Sequence, residues 1–235
     1  AWLKCYHPAA FTASLINSQP MGFYAPSQLI TDARRHGVEV RPVDINASDW
    51  AYRGCGTTIR VGLMHLKALR EDFVQQMVAE RQAHGPYRSL QHFLDRLQPE
   101  TAQTTLLIKA GCFDSVAGEL TRPALIWRLF ADQSGKPVGY LPIPTEYSTQ
   151  QKLAHEFELF GFPLSGHPLD LFTEVPAGLS TLPARDLAQH IGKEVTLLGW
   201  LVTEKVVSTK KGEPMEFVTF EDRTGLYDAT FFPNT

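Results

Sequence analysis

The sequence predicts a multidomain α + β chain, with a helical front followed by a small, incomplete β-barrel. Three observations carry this. Apolar residues recur at helical spacing through residues 59–132, as at Phe73, Val74, Met77 and Val78. Beyond Thr181 the period changes to two. Between them, from Gln133 to Tyr147, Pro and Gly accumulate and periodicity vanishes. The domains expected are therefore 1–58, 59–132, a linker with a connecting helix over 133–180, and a barrel segment over 181–235.

In residues 1–58, Pro8 opens an apolar turn running through Phe11 and Leu15. Ser27 is placed to cap a helix that Gly37 closes after Arg34, Arg35 and His36. Val38 to Val43 is extended, and Pro42 keeps it from a central strand. Asp49 to Thr58 turns to Gly, Thr and Cys, which marks a boundary.

Residues 59–132 read as four helices. Glu71 and Asp72 start the first and Gly85-Pro86 stop it; Ser89 starts the second. Pro99 at a first helical position and Gly111 bracket the third, and Thr121 with Pro123 starts the fourth. Ser148 to Gln151 is a capping box, after which Leu153, Phe157 and Phe160 share one face until Gly161. Strands are expected at Val195–Val202, Met215–Phe220 and Tyr227–Phe232, with turns at 210–212 and 222–225. Three strands cannot close on themselves, so the segment reads as the front of a barrel cut at Thr235.

The 235 residues are 43% hydrophobic and 20% charged, with a formal net charge of −3. That composition excludes disorder as the main state. No apolar run reaches the ~18–20 residues of a membrane span, and no leader pattern opens the chain. Cys5, Cys55 and Cys112 are odd in number and widely spaced, so a reducing, cytoplasmic setting fits and a disulfide framework or zinc knuckle does not. Basic residues outnumber acidic ones six to four over 1–60 and eight to seven over 61–130, but fall behind, eight to fourteen, over 131–235. A polyanion is expected on the first half.

Enzyme signatures fail. The stretch around Ser165 lacks nucleophile-elbow spacing, neither Lys136 nor Lys193 is followed by Ser or Thr, and the eight histidines form no HxxxH. His167 reads as a loop residue bonded to backbone, and no metal ligands are assigned. The start at Ala1-Trp2-Leu3-Lys4, without methionine, reads as the middle of something longer.

Segments NSQPMGFY (17–24), DARRHGVEV (32–40), VDIN (43–46), GPYRSLQHF (85–93), KAGCFD (109–114), LSGHPL (164–169) and FEDRTG (220–225) together resemble bacterial family C replicases, the DNA polymerase III alpha subunits. The error-prone branch of that family is the closest in pattern. The resemblance covers essentially the whole chain in collinear order. It implies the end of polymerase fingers over 1–58, a helix-hairpin-helix region over 59–132 that follows duplex DNA, and an OB fold over 181–235. It also implies that the palm carboxylates, which hold magnesium for nucleotidyl transfer, precede Ala1, so that this part is non-catalytic and without a cofactor of its own. Sliding-clamp and other replisome contacts are implied as well, through a glutamine-plus-hydrophobic peptide that neither Ile126–Phe130 nor Gln150–Ala154 matches. The alternative is a free-standing nucleic-acid-binding or assembly module that shares these folds.

Such hairpins hold phosphate with backbone N–H groups exposed by small residues. Where the family shows Gly-apolar-Gly, this chain has Ala68-Leu69-Arg70, which leaves Lys67 and Arg70 to supply charge. Lys4, Arg34, Arg35 and Arg41 are the other candidates for DNA or nucleotide, since a guanidinium donates to phosphate in pairs. Trp200 and Phe217 are the candidate stacking residues for single strands, with Lys205, Lys210 and Lys211 alongside.

Overall fold

In the computed structural model, residues 2–20, 24–134, 144–172 and 180–233 are described. They form two compact units that divide after Ser165. The expected linker, Gln133 to Tyr147, lies largely outside the described residues.

The first unit begins with α1 (Trp2–Tyr6), α2 (Pro8–Asn17) and α3 (Pro26–Arg35). Pro26 occupies the first turn of α3, and the Gln28 side chain accepts the Ala25 N–H, so Ser27 lies inside the helix and does not cap it. Gly37, at φ +79°, closes it. Strands β1 (Glu39–Arg41), β2 (Arg53–Cys55) and β3 (Thr58–Arg60) follow. They form a sheet in the order β1-β3-β2, with β1 parallel and β2 antiparallel to β3. Pro42 falls just past the edge strand β1. The stretch Asp49–Thr58, where the sequence suggests a boundary, ends in a hairpin turning on Gly56, at φ +58°, and residues 58 and 59 both belong to β3. A Cβ on Gly54 would sit 2.2 Å from the Ala9 carbonyl oxygen, so α2 lies directly on the β2 backbone.

Five helices complete the unit: α4 (Glu71–His84), α5 (Leu90–Leu97), α6 (Thr101–Ala110), α7 (Arg122–Ser134) and α8 (Thr149–Phe160). Their ends follow capping chemistry. Ser89 Oγ accepts the His92 N–H at 3.1 Å, and Thr121 Oγ1 accepts that of Ala124 at 3.2 Å. Ser148 and Gln151 exchange side-chain and backbone bonds at 3.1 and 2.9 Å. Gly85, Gly111 and Gly161 follow α4, α6 and α8, all at positive φ. Pro99 stands before the Glu100 cap of α6 rather than at its first position.

One hydrophobic core joins all of this. Phe93 meets Tyr87, Phe113 and Phe73 edge-on, with centroids 5.0, 5.1 and 6.4 Å away. Ile16 and Ile59 from the front share the cluster with Leu107 and Leu125, and so do Leu159 and Phe160 of α8. The connecting helix is thus part of the first unit.

Three amide side chains tie loops into this core. Asn17 accepts the Tyr52 N–H (2.7 Å) and donates to its carbonyl (2.8 Å). Asn46 does the same for Tyr87 (2.7 and 2.8 Å). Gln103 accepts the Arg70 N–H (2.9 Å) and donates to the Ala68 carbonyl (3.0 Å). Each acts as a one-residue substitute for a strand partner.

In the second unit, β4 (Trp200–Ser208), β5 (Pro214–Glu221) and β6 (Leu226–Phe231) form an antiparallel sheet in that order. The last two lie within a residue of expectation, but β4 starts at Trp200 instead of Val195 and runs on to Ser208. At Gly199, just ahead of that start, a Cβ would stand 2.3 Å from the Tyr227 hydroxyl, so the close approach there requires glycine. Asp222 Oδ1 organises the β5–β6 turn by accepting the N–H groups of Thr224 (2.7 Å) and Gly225 (2.8 Å), while Oδ2 accepts that of Ala184 (2.7 Å). The sheet is open, and no closed barrel forms among the described residues.

Candidate nucleic-acid interface

The hairpin ahead of α4 is a chain of tight turns. Leu66 N–H bonds to the Leu63 carbonyl at 3.0 Å, and Leu69 N–H to that of Leu66 at 3.2 Å. Ala68, at φ +61°, holds the left-handed conformation where the resemblance implies glycine. The surrounding amides have internal partners. Lys67 N–H bonds to the Leu159 carbonyl (2.8 Å), and Arg70 N–H to Gln103.

Side-chain charge here is also occupied. Arg70 pairs with Glu100 (2.8 Å) and through Nε with Asp72 (3.1 Å); hydrogen bonding to Asp72 raises the guanidinium and depresses the carboxyl. The Lys67 amine lies 3.7 Å from where Gly161 would carry a Cβ, at the C-terminus of α8, where a cation complements the helix dipole. Glu71 and Asp72 place negative charge on the first turn of α4, where a phosphate would sit.

The other candidate cations are dispersed. Lys4 pairs with Asp32 at 2.9 Å. Arg34 is exposed in part, at the end of α3, and donates its guanidinium to the Leu164 carbonyl; partial desolvation pulls its pKa down against the opposing pull of Glu156. Glu156 Oε2 in turn accepts the N–H groups of Leu164 (2.6 Å) and Ser165 (2.7 Å), so Arg34 and Glu156 together fasten the stretch after α8. Arg35 is exposed at the end of α3. Arg41 gives Nε and Nη2 to Glu39 at 3.0 and 3.2 Å. Opposite it, the sheet register places Arg60 and then Arg53, two residues that sequence reasoning passed over. Recognising Gly56-Thr57 as a two-residue turn would have aligned them.

On the second unit's sheet, Lys205 lies opposite Phe217, and Phe217 opposite Thr230, so an exposed ring and an amine share one face. Lys210 and Lys211 sit in the β4–β5 turn. Trp200 is at the other end of β4, opposite Glu221, with its ring 6.3 Å from Phe172. The reverse face carries buried Val218 and the stacked Phe220–Tyr227 pair. His167 Nδ1 accepts the Leu169 N–H at 3.1 Å, a backbone role. No group of three or more metal-ligating side chains occurs among the described residues, and none of their helices is long and apolar enough to cross a membrane. On α7, Leu125 and Leu129 are buried while Trp127 and Phe130 are half exposed.

A helix-hairpin-helix motif profile matches residues 37–124. Proteins named error-prone DNA polymerase match nearly the whole chain. That of Alkalilimnicola ehrlichii is 36% identical over 96% of this chain, that of Aromatoleum aromaticum 34% over 96%, and that of Anaeromyxobacter dehalogenans 33% over 100%. The chain spans 23%, 22% and 22% of those relatives.

Proposed function

We propose that this chain, a relative of error-prone DNA polymerases along nearly its whole length, is the part of such an enzyme that holds DNA and not the part that extends it. The observation that carries this is the collinear match to those polymerases together with the helix-hairpin-helix match over 37–124. Because the chain spans under a quarter of the relatives, the carboxylates that bind magnesium and perform nucleotidyl transfer are assigned outside it. Phosphate contacts position a duplex without reading its sequence, as suits a part that follows DNA of any sequence in the cytoplasm. The Lys205–Phe217 face is assigned to single strands, by stacking beside a cation.

The test is titration of labelled duplex and single-stranded oligonucleotides into the whole chain at two salt concentrations, beside a primer-extension assay with magnesium and nucleotides. Salt-sensitive binding without extension is expected. Extension that survives removal of contaminating polymerases, or no binding to either oligonucleotide, would overturn the reading.

A further inference from the structure

The sheet register of the first unit assembles something that none of its strands shows alone. Arg41 of β1 lies opposite Arg60 of β3, and Arg60 opposite Arg53 of β2, so three arginines stand on one rung. Directly opposed residues share a face. The other face is taken by Val40, by fully buried Ile59, and by Gly54 against α2. The arginines therefore point outward. With strands about 4.8 Å apart, the row is roughly 10 Å long.

Like charges directly opposed weaken a sheet, and two carboxylates moderate the repulsion. Glu39 holds Arg41, while Asp49 is shared between Arg53 and Arg81, the latter at 2.7 Å. Arg60 donates Nη1 to the Pro42 carbonyl at 2.7 Å. Four guanidinium groups against two carboxylates leave a net charge of +2 on the cluster. The Arg41–Glu39 pair is exposed on both sides and Arg53 is exposed beside a half-buried Asp49, and surface pairs of this kind contribute little. A phosphate oxygen can take the place of a carboxylate there at small cost. The contrast with the hairpin is direct, because no negative helix turn lies on this rung.

We propose that the Arg41–Arg60–Arg53 rung docks the sugar-phosphate backbone of DNA. The inference rests on the DNA-holding reading above and moves its duplex contact from Lys67 and Arg70 to the sheet. A guanidinium fork matches a phosphate in pairs of N–H bonds. Because a strand winds around the axis as it rises, its phosphates lie farther apart than the ~3.4 Å axial rise per nucleotide, and a row of this length faces about two of them. Arg53, the most exposed of the rung, makes first contact from the β2 edge.

The experiment uses the whole chain and a labelled duplex of about 20 base pairs, with affinity measured across a salt series. Each phosphate neutralised contributes about 0.9 to the slope of log K against log salt. The triple variant R41Q/R53Q/R60Q is expected to lose about 1.8 from that slope, R53Q alone about 0.9, and K67Q/R70Q close to nothing. Thermal melts establish that each variant is folded, and R53Q keeps the test decisive if the triple variant is not. Unchanged slopes in folded variants, with wild type binding duplex, would overturn the rung and leave the DNA-holding reading standing. Wild type that binds no DNA would overturn both. A third arm uses vesicles containing phosphatidylserine; vesicle binding lost in R53Q while duplex binding persists would reassign the rung to a membrane surface and overturn the proposal.

Discussion

Replacing Ala68 by glycine should stabilise the chain without improving its grip on DNA. Ala68 sits at φ +61°, where a Cβ costs roughly 1–2 kcal/mol. Glycine removes that cost but adds unfolded-state freedom worth about 0.4–1 kcal/mol. The Ala68 side chain is exposed, so little packing is lost with its methyl group. The balance is about 0.5–1 kcal/mol in favour of glycine, or about 1–4 °C in Tm for a unit of this size. Far-UV circular dichroism melts of the whole chain measure it. Duplex affinity should stay within twofold, because Lys67 N–H is held by Leu159 and Arg70 N–H by Gln103 whichever residue stands at 68. A lower Tm would refute the strain argument. A tenfold gain in duplex affinity would show that the hairpin amides are open to phosphate after all.

Two further outcomes are expected. Gln103→Leu removes both bonds that brace the hairpin and leaves the Arg70 N–H and Ala68 carbonyl unpaired, at about 1–3 kcal/mol; urea melts showing under about 0.5 kcal/mol would mean that the brace is idle. Asp222 is raised by burial but held below the ordinary carboxylate range by the Ala184, Thr224 and Gly225 N–H groups and the Thr224 hydroxyl. A depressed folded-state pKa stabilises above the unfolded value, near 4, and the benefit disappears as pH falls through the folded value. Asp222→Asn should therefore be less stable than wild type at pH 7, with the gap narrowing below about pH 4, and a gap independent of pH would contradict the assignment.

Helices were legible wherever their ends carried chemistry. Ser89, Ser148 with Gln151, and the three closing glycines each announce themselves at fixed offsets from an apolar stripe. Strands β2 and β3 were not legible, because three residues are too few to display alternation. The arginine rung was hidden for the same reason, since a register exists only once strands pair. The first strand of the second unit was misplaced because Val195 and Leu197 continue the alternation, whereas the Tyr227 hydroxyl beside Gly199 is a tertiary fact. Arg34 reads from the sequence as a candidate for DNA or nucleotide. Its actual partners, the Leu164 carbonyl and buried Glu156, lie over 120 residues away and leave no local trace. Composition around 58/59 reports a turn, and a turn inside a sheet looks the same in sequence as one between domains.

The paired bonds from Asn17, Asn46 and Gln103 have a consequence for how the first unit exchanges its hydrogens with solvent. Tyr52, Tyr87 and Arg70 lie outside every helix and strand, and amides in such loops ordinarily open at little cost in free energy. Here each N–H is captured by a side chain 33 to 41 residues distant in sequence. Releasing any one of them requires that two remote stretches of chain come apart together. In deuterated water these three amides should fade on the timescale of the Phe93 core, so that the three loops that carry them open with that core and not before it.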